Sequence, residues 1–384
     1  MKSRIIRVGV ALAALCALAA PAAASPALGD PPPQEGPFGH QGPGSAVFVQ
    51  TDGLAANQIV VYDRRGDGTL APAGVYATGG RGGQLTGSVV DHTASQGALT
   101  YDRADNLLLA VNAGSNTVSV FSVFGDHLTL RQVVGSGGTF PVSVTARRGE
   151  VFVLNAENGG SLQGYAVLGG HLVPAPWLHR SLGLATGGPE EPEQFTHTPG
   201  QVAFSPDGAD LIVTTKAAGQ SVEVFEAFPF GGISQSPVVT PDPTVPFAVA
   251  FDSQGHLLLA EAAGALASFR IGSDGTLTEL DSVATEQSAT CWVTPAGGYY
   301  YTSNAGSGTL TGFRDVFDGQ LSLLGNTSTH PGTVDGASSG RNLYVQGGAQ
   351  GTVDEFAVAP GGALEGIGSL VVPGAVGGEG IATN

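Results

Sequence analysis

Cysteine and lysine are nearly missing from this sequence: Cys16 and Cys291 are the two cysteines, and Lys2 and Lys216 the two lysines. Cys16 lies in an apolar N-terminal stretch read below as cleaved, so the mature chain keeps one thiol and no intramolecular disulfide can form. Stability must then come from burial, which about 340 residues from position 45 onward can supply. Charge is scarce as well, at 12% of residues, while glycine fills 60 positions; that balance suits a turn-rich β protein rather than a helical bundle or a disordered chain. No H-E-x-x-H and no G-x-x-x-x-G-K occurs, which removes the usual zinc-protease and nucleoside-triphosphatase signatures. Helical spacing of apolar residues is nowhere sustained.

The first residues carry Lys2, Arg4 and Arg7, an apolar run from Val8 to Ala20, then Ala22-Ala23-Ala24. This is the three-part order of a secretory signal peptide, with an apolar run too short to span a bilayer. Residues 1–24 are therefore expected to be removed and the protein exported. Leu15 precedes Cys16 where a lipid-attachment site needs a small residue, so no lipid anchor is expected. Cleavage leaves 12 basic against 32 acidic side chains. Such a field repels phosphate backbones and anionic lipid, which speaks against nucleic-acid and membrane partners. Residues 25–44, with Pro31-Pro32-Pro33, read as a leader without periodicity.

Beyond residue 45 one unit recurs. An apolar run ends in an aromatic, and seven or eight residues later a glycine-bearing turn is closed by leucine or isoleucine. The aromatics are Tyr62, Phe121, Tyr165, Phe225, Phe269, Phe313 and Phe356; their partners are Leu70, Leu128, Leu172, Ile233, Leu277, Leu321 and Leu364. Asp-Gly and Gly-Gly turns fold each aromatic strand onto an antiparallel neighbour. Short strands precede it, such as Val151–Leu154 and Val142–Val144, giving a four-stranded meander. Most copies are spaced by 43 or 44 residues, and that period with four short strands predicts an all-β, seven-bladed propeller over residues 45–384. The first unit lacks an inner strand and the chain ends on Gly380-Ile381-Ala382-Thr383, so the tail is expected to close the ring in blade 1. The aromatics are expected to fill the spaces between blades.

In such a meander the turns between second and third strands share a face with the blade-to-blade connections. Two long insertions, residues 79–95 and 181–197, belong to that connection face, where binding groups tend to be carried. It also receives His92, His197, His330, Glu190, Glu191 and Glu193, whereas His127, His171 and His256 fall in tight turns opposite, where a solvated role suffices. Near the starts of the inner strands, around the channel, stand Gln96, His197, Gln201, Thr290, Cys291, Asp335 and Glu379. A histidine beside a carboxylate there supplies a general base and its orienting partner; three histidines with a carboxylate would instead suit a divalent metal. No metal or cofactor is assigned. Asn112, Asn155 and Asn304 read as turn formers, and Lys216 and Glu261, which break that pattern in blades 4 and 5, as better ligand contacts. Cys291 beside Trp292 reads as a buried, inert thiol.

Three segments carry a family resemblance: Val202-Ala203-Phe204-Ser205-Pro206-Asp207-Gly208; Leu109 through Phe121, containing Asn112-Ala113-Gly114-Ser115-Asn116-Thr117; and Cys291-Trp292-Val293 with Tyr301-Thr302-Ser303-Asn304-Ala305-Gly306. Over residues 45–384 the chain resembles the lactonase-type propellers, the group that includes 6-phosphogluconolactonase and carboxymuconate-cyclising enzymes. The resemblance implies an active site at the channel mouth that opens or forms a lactone. Members carry a histidine-proline-arginine-histidine run at an inner strand; here the segment is Thr198-Pro199-Gly200-Gln201, with His197 displaced and the arginine missing. A phosphorylated lactone would lose its bidentate partner. Two readings follow. In the first, a monomeric exported enzyme acts on a neutral lactone, with His197 as base, Glu379 or Asp335 as its partner, and Gln96, Gln201, Lys216, Glu261, Thr290, Cys291 and His330 contacting ligand. In the second, a non-catalytic propeller binds a protein, glycan or small ligand through the connection face.

Overall fold

A computed structural model describes residues 45–185, 194–228 and 231–384. The expected signal peptide and leader, and Glu190, Glu191 and Glu193, lie outside the described residues. Seven four-stranded antiparallel sheets follow one another along the chain as the blades of a propeller. Blade 1 contributes Ala46–Gln50, Gln58–Arg64 and Leu70–Ala77, and takes its inner strand, Ile381–Thr383, from the other end of the chain. Val47 pairs with Thr383, Phe48 with Ala382 and Val49 with Ile381, so the ring closes by backbone hydrogen bonding and two sheet edges disappear. The inner strands of blades 2 to 7 are Leu99–Asp102, Pro141–Arg147, Val202–Phe204, Pro246–Phe251, Thr290–Ala296 and Thr333–Ser339.

The repeat explains the packing. Each of the seven aromatics is buried, and each falls in a different apolar cluster that joins neighbouring blades. Phe121 of blade 2 packs with Phe48 and Ile59 of blade 1. Phe313 of blade 6 packs with Leu258 and Leu266 of blade 5, and Tyr62 meets Tyr344 and Val353 of blade 7 across the closure. Burial of such a side chain is worth about 1.5–3 kcal/mol, so the blade interfaces form a continuous ring of cores. Hydroxyls add links at the rim: Tyr344 donates to the carbonyl of Gly68 in blade 1 (2.7 Å) and Tyr301 to that of Gly362 in blade 7 (2.7 Å).

The turn asparagines are fully buried. Asn112 Nδ2 donates to the hydroxyls of Thr117 (3.1 Å) and Ser119 (2.8 Å), and Asn304 Nδ2 to that of Thr311 (2.9 Å). They close the ends of their hairpins, which is the structural work expected of them.

Candidate functional site

The two insertions meet over the connection face. Asp91 folds the first, its carboxylate accepting the backbone N–H groups of Thr93 (2.9 Å), Ala94 (2.8 Å) and Ser95 (2.9 Å). The second ends in the 3-10 turn Phe195–His197. Thr86 and Gln194 form a parallel bridge, and the Phe195 N–H donates to the Thr86 carbonyl (3.1 Å). Lys216 locks the pair from below. It opens the single α-helical turn Lys216–Gly219 between the second and third strands of blade 4, and its Nζ donates to the carbonyls of Ala94 (2.7 Å) and Phe195 (2.6 Å) and to Thr198 Oγ1 (2.9 Å). Three donors meet three acceptors, and the ring of Phe247 stands 5.2 Å away. Lys216 is 1% exposed; burial pushes its ammonium down to about 7, against the opposing pull of Asp91. Sequence reasoning puts Lys216 in contact with a ligand, whereas its three N–H groups are all taken by the protein.

Asp335 and Glu379 come together. Both are buried, and they share a hydrogen bond between carboxyl groups. Glu379 also accepts from the hydroxyls of Thr93 (3.0 Å) and Ser95 (3.2 Å) and from the Gly97 N–H (3.1 Å), while the Ile381 N–H points at Asp335 (3.4 Å). Asp52, in the corresponding turn of blade 1, accepts the Glu379 N–H (3.0 Å). Burial raises all four carboxyls of Asp52, Asp91, Asp335 and Glu379 above their ordinary range, Asp52 to about 7; for Glu379 the neighbouring Asp335 adds to it. His197 is not part of this set. Its Nδ1 lies 2.9 Å from Thr196 Oγ1, and the contacts of Glu379 and Asp335 are with other residues.

The channel residues are used across the ring. Gln96, entering blade 2, donates to the carbonyls of Val249 (3.4 Å) and Val293 (3.3 Å) on the inner strands of blades 5 and 6, and accepts the Val293 N–H (3.0 Å). Trp292 Nε1 returns the link by donating to the Ser95 carbonyl (2.6 Å). Gln201 accepts the Val249 N–H (2.6 Å), and Thr290 is buried with its hydroxyl donating to Asn304 (2.7 Å). At this level the channel is spanned by protein side chains. Cys291 is buried, and burial pushes its thiol up to about 12. Glu261 is buried as well, its carboxyl pushed up to about 7 by burial and then by Asp242.

His330 has a different setting. It stands in the connection from blade 6 to blade 7, its Nδ1 2.6 Å from Asp354 Oδ1 and its backbone N–H donating to Asp354 Oδ2 (2.8 Å). Its side chain is 42% exposed while that of Asp354 is 8% exposed. Beside it lies a cavity of about 290 Å³ between Ser328, Thr329 and Pro331 on one side and Phe356, Gly366 and Gly368 on the other. Asp354 is absent from the sequence reading. A signal for it exists: two positions before the aromatic, five of the seven blades carry an uncharged residue, and only Glu223 and Asp354 are acids. His256, expected in a solvated turn, is instead buried and makes the same double contact to Asp252 (2.8 Å from its N–H, 2.6 Å at Nδ1). The Asp252 carboxylate satisfies the imidazole that the turn buries.

Gly336-Ala337-Ser338-Ser339-Gly340 has the G-x-S-x-G spacing of a nucleophile elbow, but it runs along the inner strand of blade 7. Ser338 Oγ donates to the Pro295 carbonyl (2.6 Å). Without the strand-to-helix turn the serine is not presented as a nucleophile. Among the described residues no group of three or more His, Cys, Asp or Glu side chains is arranged to hold a metal ion.

Among solved structures the chain is similar to the periplasmic gluconolactonase of Pseudomonas aeruginosa, with 20% identity over 88% of this chain and 98% of that one and a TM-score of 0.70. A candidate 6-phosphogluconolactonase from Bacteroides fragilis shares 17% identity over 89% and 98% of the two chains, with a TM-score of 0.68. One from Bacteroides uniformis shares 18% over 89% and 100%, with a TM-score of 0.69. At these identities the likeness is one of fold. No curated protein matches the sequence significantly. Residues 75–376 match the profile of the family described as lactonase, seven-bladed β-propeller, so this chain, with its ring of seven blades, belongs to that lactonase family.

Proposed function

We propose that this protein is an exported lactonase that opens an uncharged lactone by hydrolysis on its connection face. Family membership supports the reaction class, and the three-part N-terminus supports export. One observation carries the choice of substrate. Where lactonase propellers place an arginine this chain has Gly200, and a Cβ built there would stand 2.4 Å from the Phe247 carbonyl oxygen and 2.8 Å from Thr214 Oγ1. No side chain fits at that point, so an arginine cannot be restored without moving the inner strand of blade 5. Lys216 does not replace it, since its donors are spent on the cap. A formal charge of −17 works further against an anionic substrate.

The test is acid release from a panel of uncharged sugar and aliphatic lactones, with a 6-phosphorylated sugar lactone alongside and spontaneous hydrolysis subtracted. The uncharged lactones are expected to be favoured in kcat/KM by about tenfold or more, the scale of one lost charge-assisted contact. Preference for the phosphorylated lactone defeats the substrate assignment. No turnover of any lactone defeats the enzyme and leaves a binding propeller.

A further inference from the structure

We propose that the outer rim of blade 3 is a binding platform for uncharged polysaccharide, on which a sugar ring stacks against Trp177. This inference is separate from the lactone reaction and from the connection face that carries it.

The platform begins as a departure from the repeat. In blades 1, 2, 5, 6 and 7 the pairing of the third and outer strands slips next to the aromatic, leaving one residue of the outer strand surplus. In blade 3 the pairs Leu162–Arg180 and Gly164–Ala175 enclose one residue of the third strand against four of the outer strand His171–Ser181, from Pro176 to His179. The outer strand therefore swings out of the sheet and back.

The excursion is pinned from behind. Gln163, the single residue opposite it, is buried, and its Nε2 donates to the carbonyls of Gly164 (2.7 Å) and Ala175 (2.9 Å). Leu178 turns into the core that joins blades 3 and 4, and Gly164 leaves it room, since a Cβ there would stand 2.7 Å from Leu178 Cβ. Arg180, also buried, donates to the carbonyls of Trp177 (2.9 Å) and His179 (2.8 Å) within the excursion and to those of Ile233 (2.9 Å) and Ser234 (2.9 Å) in blade 4. What stays outside is the Trp177 ring, 74% exposed, its Nε1–H without a partner among the described residues. A tryptophan on so fixed a backbone has little freedom left to lose when a ligand stacks on it.

The surroundings select the occupant. Pro174 and Pro176 have no N–H to give, which blocks a strand of another protein or of a second copy from adding along this edge. Arg180 is spent on carbonyls and the chain carries a formal charge of −17, which works against anionic polymers. A neutral pyranose matches what remains. It is one ring in size, its C–H face meets the indole, and its hydroxyls can accept from Nε1 and pair with the exposed His179.

The experiment is native affinity electrophoresis of the full-length protein in gels carrying hydroxyethylcellulose, laminarin, galactomannan or dextran, with alginate as the anionic control. At least one neutral polymer is expected to retard the protein, and that polymer is then titrated against tryptophan fluorescence. The chain has two tryptophans and Trp292 is buried, so the emission open to acrylamide comes from Trp177 and is expected to shift to the blue and become shielded as polymer binds. Trp177→Ala is expected to weaken binding by about tenfold or more, the loss of a sole anchor, with the melting temperature and any lactone turnover unchanged. Trp177→Phe keeps a ring and is expected to retain part of the affinity. No retardation by any of the four neutral polymers overturns the proposal, as does retardation by alginate alone. A Trp177→Ala variant that binds like the wild type also overturns it, by moving the site elsewhere. A wild type that sediments as a dimer, with Trp177→Ala monomeric and neither retarded, gives the ring to a second copy instead and overturns the polysaccharide.

Discussion

At the residue scale the most constrained side chain is Lys216. It is the one lysine beyond the expected signal peptide, and it is held at φ +48 in a region that side chains rarely occupy. Its donors join two segments more than a hundred residues apart in sequence, Ala94 at |i−j| = 122 and Phe195 at |i−j| = 21 from it. Lys216→Met keeps the apolar stem and removes the donors, stranding the Ala94 carbonyl while that of Phe195 keeps the Thr198 hydroxyl (3.1 Å). The expected cost is about 1–3 kcal/mol for the one unsatisfied group, read as a lower urea midpoint at unchanged slope. An unchanged midpoint would mean that the cap is held by the Thr86–Gln194 bridge alone. Lys216 is also where residue-level reading stops short. Its position on the connection face was legible from the blade count, but its role was not, because two of its three acceptors are backbone carbonyls of other loops, which no side-chain pattern reports. The Asp335–Glu379 contact was hidden for the same reason in reverse: two carboxyls 44 residues apart meet only once the ring has closed.

At the scale of elements, seven aromatics seven or eight residues before a closing leucine or isoleucine were enough to place every blade, because each blade repeats the same burial problem against its neighbour. The orphan C-terminal segment gave the closure by the same logic of one strand missing at one end and one left over at the other. The groove on blade 7 escaped that logic. It depends on Asp354 in the third strand reaching a histidine in the preceding connection, a pairing that leaves the repeat intact. The closure itself is testable. Deleting residues 380–384 removes the pairing of Val47, Phe48 and Val49 with Thr383, Ala382 and Ile381, and takes the buried Ile381 and Ala382 from their clusters. The truncated chain is expected to expose an unpaired edge of blade 1 and to aggregate on heating, with loss of a single cooperative transition. A truncation that melts cooperatively at the wild-type temperature would show that the tail strand adds nothing to the closure.

At the scale of the whole molecule the decisive quantity is where the acids are. Among the described residues a single arginine is ion-paired with a carboxylate, Arg270 with Asp318 at 2.9 Å, and that pair is exposed. The carboxyls that matter to folding are instead buried and raised: Asp52 to about 7, Glu223 and Glu261 to about 7, with Asp91, Asp335 and Glu379 shifted the same way. Between the ordinary carboxylate range and these raised values the folded chain holds protons that the unfolded chain has lost. Their contribution is therefore fully present below about pH 4 and disappears as pH rises toward about 7, where each group must be ionised inside the protein or drive it open. For Asp52 the linkage amounts to about 4 kcal/mol between those limits. Lys216 acts in the other direction and later: with its amine lowered to about 7, its term begins to favour the folded chain only above that pH. The melting temperature is accordingly expected to be highest near pH 4–5 and to fall steadily to pH 7, a profile opposite to that of proteins stabilised by salt-bridged carboxylates. Glu379→Gln removes one of these raised titrations while keeping an acceptor for Thr93 and Ser95, and should flatten the slope between pH 5 and 7. A melting temperature that rises across that interval would show that the carboxyls at the ring closure stay ionised when buried, which requires a compensating cation in the channel and would redraw the chemistry of this face.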